Sequence, residues 1–159
     1  MRIDLLCVGK LKEKHLREAC EEYGKRLSRY CKLQVTEVPD EKTKEGASEA
    51  EDELVRRAEG ERIQKHLSEE AFVITLEIEG RQMDSVELSG YLSELMVRGV
   101  SHIQFVMGGS LGLHNDVIKQ SDLHLSFSKL TFPHQLMRVM LLEQLYRSFR
   151  IAGGEPYHK

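Results

Sequence analysis

A run of closely spaced glycines follows an apolar segment in the second half of the chain. Residues 108–112 read Gly-Gly-Ser-Leu-Gly and come directly after the β-prone run 102–107. Glycines permit positive φ and let the backbone approach a ligand with no Cβ in the way. The spacing matches neither the GxGxxG fingerprint of a dinucleotide site nor the GxxxxGK[ST] pattern of a P-loop. We expect Gly108 to lie at a ligand site of another kind, although a tight strand-to-helix turn explains the loop alone equally well.

A second unusual segment precedes the last predicted helix. It reads Phe-Ser-Lys-Leu-Thr-Phe-Pro-His over residues 127–134. Its apolar side chains must be covered by protein or by a flat apolar ligand, while its backbone groups offer specific polar contacts. An adenine ring fits that description, and so does another subunit. A place for Phe127 and Phe132 in the core is an equally good interpretation.

The C-terminal residues Tyr157, His158 and Lys159 form the third feature. Such side chains stack on bases and pair with phosphates. With Arg147 and Arg150 on the preceding helix they would form a basic rim. A frayed chain end is the alternative.

Activated nucleophiles and metal ligands are poorly represented in this sequence. Ser110 and Ser128 lack a GxSxG elbow, and the seven histidines are scattered without metal-ligand spacing. His124 in an apolar strand predicts a packed core histidine. Three carboxylates are expected in surface turns rather than as bases: Glu77, Glu79 and Asp84. A site that relies on placement suits methyl transfer from a sulfonium, because the leaving group is already cationic.

Strand-like and helix-like segments alternate along the chain. Strands are predicted at 3–8, 33–38, 71–78, 102–107 and 123–127, and helices at 11–30, 46–67, 85–98, 114–120 and from Pro133 onward. Asp84 or Ser85 should cap the third helix and Gly99 should end it, and the highly charged second helix should face solvent. This order predicts an α/β domain with a mostly parallel sheet and helices on both faces. Ligands then lie beyond the carboxyl ends of the strands, which singles out the loops 75–80, 107–112 and 127–133.

Length and composition exclude several classes of protein. The 159 residues, 40% of them hydrophobic and 31% charged, predict one domain over 1–159. No stretch approaches the roughly 18 uncharged apolar residues of a membrane span. Cys7, Cys20 and Cys31 show neither a close pair nor metal-ligand spacing. We expect a cytoplasmic protein with reduced thiols, no membrane association and no metal.

The net charge of −3 is distributed unevenly. Residues 10–32 carry a net +4, residues 41–70 a net −4 and residues 129–159 a net +3. A polyanion could bind the two basic segments near the ends of the chain. Charged helix faces exposed to solvent explain the same pattern.

Three sequence blocks together resemble one known family. They are FVITLEIEGRQMDS, IQFVMGGSLGL and LSFSKLTFPHQLMRVMLLEQLYRSFRIAGGEPYHK. In this order they are similar to the ribosomal RNA large subunit methyltransferase H family of small SPOUT-class enzymes. The likeness spans the whole chain, and only residues 42–70 carry nothing diagnostic.

The resemblance implies methylation of N3 of a pseudouridine in 23S ribosomal RNA, on the assembled ribosome and with S-adenosylmethionine as cofactor. It also implies a C-terminal trefoil knot and a homodimer. The cofactor contacts carried over by the resemblance are Leu76, Gly108, Phe127, Ser128, Lys129, Leu130, Thr131 and Phe132. RNA binding carries over to Arg147, Tyr157, His158 and Lys159.

The sequence leaves the chemistry of the N3 proton open. His134, Arg138 and Arg147 are the candidates for handling it, and the tail of one subunit could complete the site of the other. Two other functions compete with methyl transfer. One is a flavodoxin-like nucleotide-binding module without catalysis, and the other is an RNA-binding assembly factor that only retains the fold.

Overall fold

Five strands and five helices alternate in the computed structural model, which describes all 159 residues. The strands are β1 (Arg2–Val8), β2 (Lys32–Val38), β3 (Phe72–Gln82), β4 (His102–Met107) and β5 (Leu123–Ser126). The helices are α1 (Lys14–Leu27), α2 (Glu49–Gln64), α3 (Ser85–Val97), α4 (Asn115–Ile118) and α5 (His134–Ala152). The predicted alternation is therefore confirmed. No helix is both long and apolar enough to span a bilayer.

The strands form one sheet in the order β2-β1-β4-β3-β5, and every neighbouring pair is parallel. Parallel neighbours require crossover connections, and the intervening helices supply them. The predicted parallel sheet is thus confirmed, and the carboxyl ends of all strands lie along one edge.

Both faces of the sheet are covered by helices, as predicted. Along β1, Leu5 and Cys7 join a core with residues of α1, α3 and α5, while Leu6 and Val8 join a smaller core with residues of α2 and α4. Successive side chains of a strand point to opposite faces, so a strand buried on both faces reads as a continuous apolar run.

The boundaries of α3 follow from local chemistry. The Asp84 carboxylate accepts the N–H of Glu87 at 2.8 Å, and the Glu87 carboxylate accepts the N–H of Asp84 at 2.8 Å. This reciprocal cap satisfies donors that the first helical turn leaves free. Beyond the last turn, Gly99 has φ +88, a conformation that favours glycine.

Pro133 lies just before α5, not at its first helical position as the sequence predicts. Its fixed φ still suits the entry into the helix.

The prediction that α2 faces solvent is wrong for its C-terminal half. Glu59, Gly60 and Ile63 are buried. Ile63 belongs to the smaller core, and a Cβ on Gly60 would lie 2.9 Å from the Cβ of His114. The dense charge of α2 hides this narrow buried stripe because one of its buried members is itself a carboxylate.

Strand β3 is longer than predicted and is interrupted. Leu76 and Arg81 both pair with Leu125, so residues 77–80 leave the ladder. A Cβ on Gly80 would lie 2.7–2.9 Å from backbone atoms of His124 and Leu125, and only glycine permits that approach. The interruption turns 77–79 toward the carboxyl edge of the sheet, where they line a cleft.

Candidate functional site

A cleft of about 1180 Å³ opens at the carboxyl ends of β3, β4 and β5. Residues 76–79, 107–113, 127–128 and 130–134 contribute to its walls, together with parts of α2, α4 and α5. The three loops that the predicted parallel sheet singled out therefore meet at one site. This is the place where ligands bind in parallel α/β sheets.

Seven of the eight predicted cofactor residues line this cleft. They are Leu76, Gly108, Phe127, Ser128, Leu130, Thr131 and Phe132. Lys129 does not line it and is exposed. Contact of these residues with a cofactor stays a prediction.

The glycine turn at 108–112 is closed by its own backbone. The N–H of Gly112 donates to the Gly109 carbonyl at 3.1 Å, and Gly112 has φ +81. A Cβ on Gly108 would lie 2.6 Å from the carbonyl carbon of Gly112 and 2.7 Å from its oxygen. The packing of the turn by itself requires glycine at 108, and contact of Gly108 with a ligand stays a prediction.

The segment 127–132 forms an apolar wall with polar backbone groups. The Ser128 hydroxyl accepts the N–H of Leu130 at 3.0 Å, which folds the segment back on itself. Leu130 is 69% exposed although it lines the cleft, whereas Phe127 packs against the larger core. Phe127 thus contacts the core and also lines the cleft. Its place in the core is therefore compatible with a place at a ligand site.

Three charged residues of α2 line the cleft and were missed by the sequence analysis. Arg56 donates from Nε to Glu53 at 3.0 Å and also pairs with Glu49. Glu53 in turn lies 2.9 Å from Nε2 of His114. No motif marks these residues; their only signal is the charge of the helix.

His124 is not a core residue, contrary to the prediction. Its side chain is 47% exposed, and its Nδ1 lies 2.7 Å from Glu77 Oε2 and 2.9 Å from the Ser121 hydroxyl. The reason is that β5 is an edge strand, so part of it faces solvent. Asp84, in contrast, occupies the predicted surface turn as a helix cap.

Of the proton-handling candidates, His134 alone lines the cleft. Burial and the nearby charge of Arg138 lower its pKa, against the opposing influence of Asp40. A lowered pKa leaves the imidazole neutral near pH 7, so it can accept a proton.

Arg138 ties α5 to the ends of two strands. It is 2% exposed, and its guanidinium donates to Glu37 at 2.5 Å and to the carbonyls of Val8 and Gly9 at 3.3 and 2.5 Å. Its donors are thus used inside the protein, and Arg138 does not line the cleft.

Arg147 and the C-terminal tail lie together outside the cleft. Arg147 donates to Glu143 at 2.5 Å, and its guanidinium carbon lies 4.7 Å from the centre of the Tyr157 ring. The Tyr157 hydroxyl donates to Glu143 at 3.1 Å, and burial together with this carboxylate and Tyr23 raises its pKa to about 12. None of these residues lines the cleft.

The tail is anchored where it leaves α5. The Glu155 carboxylate pairs with Arg150 and accepts the hydroxyl of Tyr30 at 2.9 Å. Arg150 also donates to the carbonyl of Pro156 at 3.2 Å. The tail is thus folded back onto α5 rather than frayed.

The fold and the cleft together define a class of enzyme. A family model described as a predicted SPOUT methyltransferase matches residues 1–158. Two solved structures share the fold: a probable methylase family protein from Haemophilus influenzae, with TM-score 0.55, and a putative methylase family protein from Neisseria gonorrhoeae, with TM-score 0.52. They are 17% and 10% identical and cover 99% and 91% of this chain, which itself covers 70% and 80% of theirs.

Relatives that match over their full length indicate a particular family within this class of enzymes. Proteins named ribosomal RNA large subunit methyltransferase H from Bifidobacterium adolescentis and Clostridium kluyveri are 57% and 52% identical over 159 residues, covering 100% of both chains. A putative protein of the same name from Methanococcus maripaludis is 55% identical over the same length. The chain belongs to this family of SPOUT methyltransferases.

Proposed function

We propose that this chain methylates N3 of a pseudouridine in 23S ribosomal RNA, using S-adenosylmethionine, as a cytoplasmic homodimer acting on the assembled ribosome. The observation that carries the proposal is the meeting of three loops at one cleft beyond the parallel strands. The names of the full-length relatives support ribosomal RNA as the substrate class.

The cleft residues fit S-adenosylmethionine. Leu76, Phe127, Leu130 and Phe132 offer apolar surface to a flat ring, while the surrounding backbone supplies hydrogen-bonding groups. Glu77 and Glu79 line the same cleft and favour a cationic ligand. The bound cofactor would supply a methyl group on a sulfonium, so the protein has chiefly to align the acceptor.

His134 is the group that we propose to take the N3 proton. It lines the cleft and is held neutral by burial and by the charge of Arg138. Removal of the proton leaves electron density on N3 for attack on the methyl group. Arg138 and Arg147 are already engaged by Glu37 and Glu143.

We propose that the RNA-binding residues of one subunit act beside the cleft of a second subunit. They are Arg147, Tyr157, His158 and Lys159. These residues lie outside the cleft of their own chain. A homodimer would place one subunit's tail beside the other subunit's cofactor. The trefoil knot and the single-domain organisation over 1–159 remain part of the same proposal.

A transfer assay tests this function. Ribosomes lacking the modification are incubated with the protein and S-adenosylmethionine carrying a labelled methyl group, and the label is mapped by nuclease digestion and mass spectrometry. We expect one label per ribosome, on N3 of a pseudouridine, and little label on naked 23S RNA.

Each rival function predicts a different result. Binding to ribosomes and cofactor without transfer would identify an assembly factor. Binding of flavin mononucleotide in place of S-adenosylmethionine would identify a nucleotide-binding module. Efficient labelling of naked RNA would contradict action on the assembled particle.

A further inference from the structure

A buried carboxyl group lies directly beneath the glycine turn. Glu59 of α2 is 4% exposed, and its Oε1 accepts the N–H of Glu41 at 3.1 Å. Its Oε2 is buried and has no hydrogen-bond partner. Buried acceptors without partners are rare and costly, so this oxygen requires an explanation.

The free oxygen faces Gly109. A Cβ built on Gly109 would lie 3.2 Å from Oε2 and 3.3 Å from Oε1 of Glu59. The carboxyl group therefore packs against the α-carbon of Gly109, on a turn whose neighbours Gly108 and Ser110 line the cleft.

The rest of α2 is well placed to hold this carboxyl group. Arg62, one turn later, donates to the carbonyl of Pro39 at 2.8 Å and pairs with Glu41, which fixes the loop that binds Oε1. Gly60 packs against His114 at the far end of the glycine turn. Both ends of the turn thus rest on α2.

The surroundings of Glu59 disfavour its ionised form. Burial raises its pKa most, the carboxylates of Asp40 and Glu41 raise it further, and the Glu41 N–H and Arg62 act in the opposite direction. A folded-state pKa above the unfolded value means that the group's contribution to stability is lost as pH rises through the folded pKa. A glutamine has no charge to lose from water on burial and would avoid this cost at neutral pH.

We propose that Glu59 is a positioning residue of the cofactor site, whose free Oε2 accepts a backbone N–H of the glycine turn when S-adenosylmethionine fills the cleft. This inference rests on the proposed cofactor. It assigns to the middle helix, which carries no recognisable motif, control over the glycine turn that it packs against.

Calorimetric titration of S-adenosylmethionine into Glu59→Gln, with Glu61→Gln as the matched control, tests the inference. The amide oxygen of the substituted side chain can still accept the Glu41 N–H, which leaves an NH₂ donor facing the turn where an acceptor is needed. We expect a roughly tenfold weaker Kd for Glu59→Gln, as for the loss of one hydrogen bond. Glu61 is exposed on the same helix, so its variant should bind as the wild type does.

Thermal unfolding separates positioning from a structural role. Glu59→Gln should be at least as stable as the wild type at pH 7, and this advantage should shrink as the pH falls toward 4.5, the ordinary value for a glutamate, because the variant lacks the titrating group. Unchanged cofactor affinity in Glu59→Gln would overturn the inference, whatever its stability. Failure of the wild type to bind S-adenosylmethionine would overturn the proposed function and this inference together.

A second pair of variants tests the same contact from the turn. Gly109→Ala should weaken cofactor binding in the wild type because its methyl group presses on the Glu59 carboxyl group. In the Glu59→Ala background the same substitution should cost clearly less, since the carboxyl group is gone. Equal effects in both backgrounds would contradict a contact between Glu59 and the turn.

Discussion

At the residue scale, the glycine turn depends on contacts that the backbone makes with itself. Gly108 packs on the carbonyl of Gly112, and the Gly112 N–H closes the turn on Gly109. A methyl group at 108 has only backbone to push against, which cannot rotate away as a side chain can. The cost of a substitution there should therefore appear in stability as well as in cofactor binding.

Gly108→Ala should lower the free energy of unfolding by about 1–3 kcal/mol, the range for overpacked sites. Urea denaturation monitored by circular dichroism measures this change. Gly90→Ala is the matched control, because Gly90 lies in α3 with nothing within 4 Å of an added Cβ. That variant should gain roughly 0.5–1 kcal/mol from helix propensity. Gly108→Ala with wild-type stability would contradict the packing described for the turn.

The pKa of His134 predicts a pH dependence. Because burial and Arg138 lower this pKa, kcat/KM should rise with pH through a value below that of an ordinary histidine and then level off. Protonation is disfavoured in the folded state, so stability should fall as pH drops below the unfolded pKa, about 6.5. His134→Gln should remove the acidic limb of kcat/KM. An unchanged limb would assign the proton to another group.

At the scale of elements, the tail is held by the end of α5. Glu155 joins Arg150 to Tyr30, and Tyr157 then lies on Arg147 and beside Tyr146, with ring centres 4.9 Å apart. The network holds the tail as an ordered unit outside the cleft of its own chain.

Glu155→Gln should loosen this tail while leaving the cleft intact. We expect unchanged affinity for S-adenosylmethionine and several-fold lower methylation, because the tail residues lose their fixed placement. Tyr30→Phe removes the hydroxyl that donates to Glu155 and should have a smaller effect in the same direction. Calorimetry and the ribosome assay measure the two properties. Equal loss of both would place the tail in the folding of the cleft.

Features set by contacts between residues close in sequence could be predicted, whereas features set by contacts between distant segments could not. The start of α3 is visible in sequence because Asp84 and Glu87 cap it locally. The interruption of β3 is not, because it depends on how residues 77–80 meet β5 across the sheet. His124 was misplaced for the same reason, since only the strand order shows β5 to be an edge.

At the scale of the whole molecule, the order of elements suffices to locate the cleft. Every strand is followed by a helix, so the loops after β3, β4 and β5 share one edge, and that much follows from the sequence. The contribution of α2 does not, because Glu53, Arg56 and Glu59 reach the site only through tertiary packing.

A mixed dimer tests whether the tail acts across subunits. One subunit lacks residues 157–159, and the other carries Leu130→Glu in the cleft. If the tail acts in trans, the intact cleft of the first subunit meets the intact tail of the second, and about half of the activity should remain, as one of two sites. If the tail acts in cis, neither site is complete, and loss of all activity would contradict the composite site.

Calorimetric titration of S-adenosylmethionine is the most direct measurement on the cleft formed by the three loops. Leu130→Glu places a charge on the apolar wall at an exposed position, and Val97→Glu, at a position 89% exposed and outside the cleft, is its matched control. We predict binding by the wild type and by Val97→Glu, with affinity at least roughly tenfold weaker in Leu130→Glu, or about 1.4 kcal/mol, at unchanged Tm. Absence of binding by the wild type, or equal binding by all three proteins, would contradict a cofactor site in this cleft.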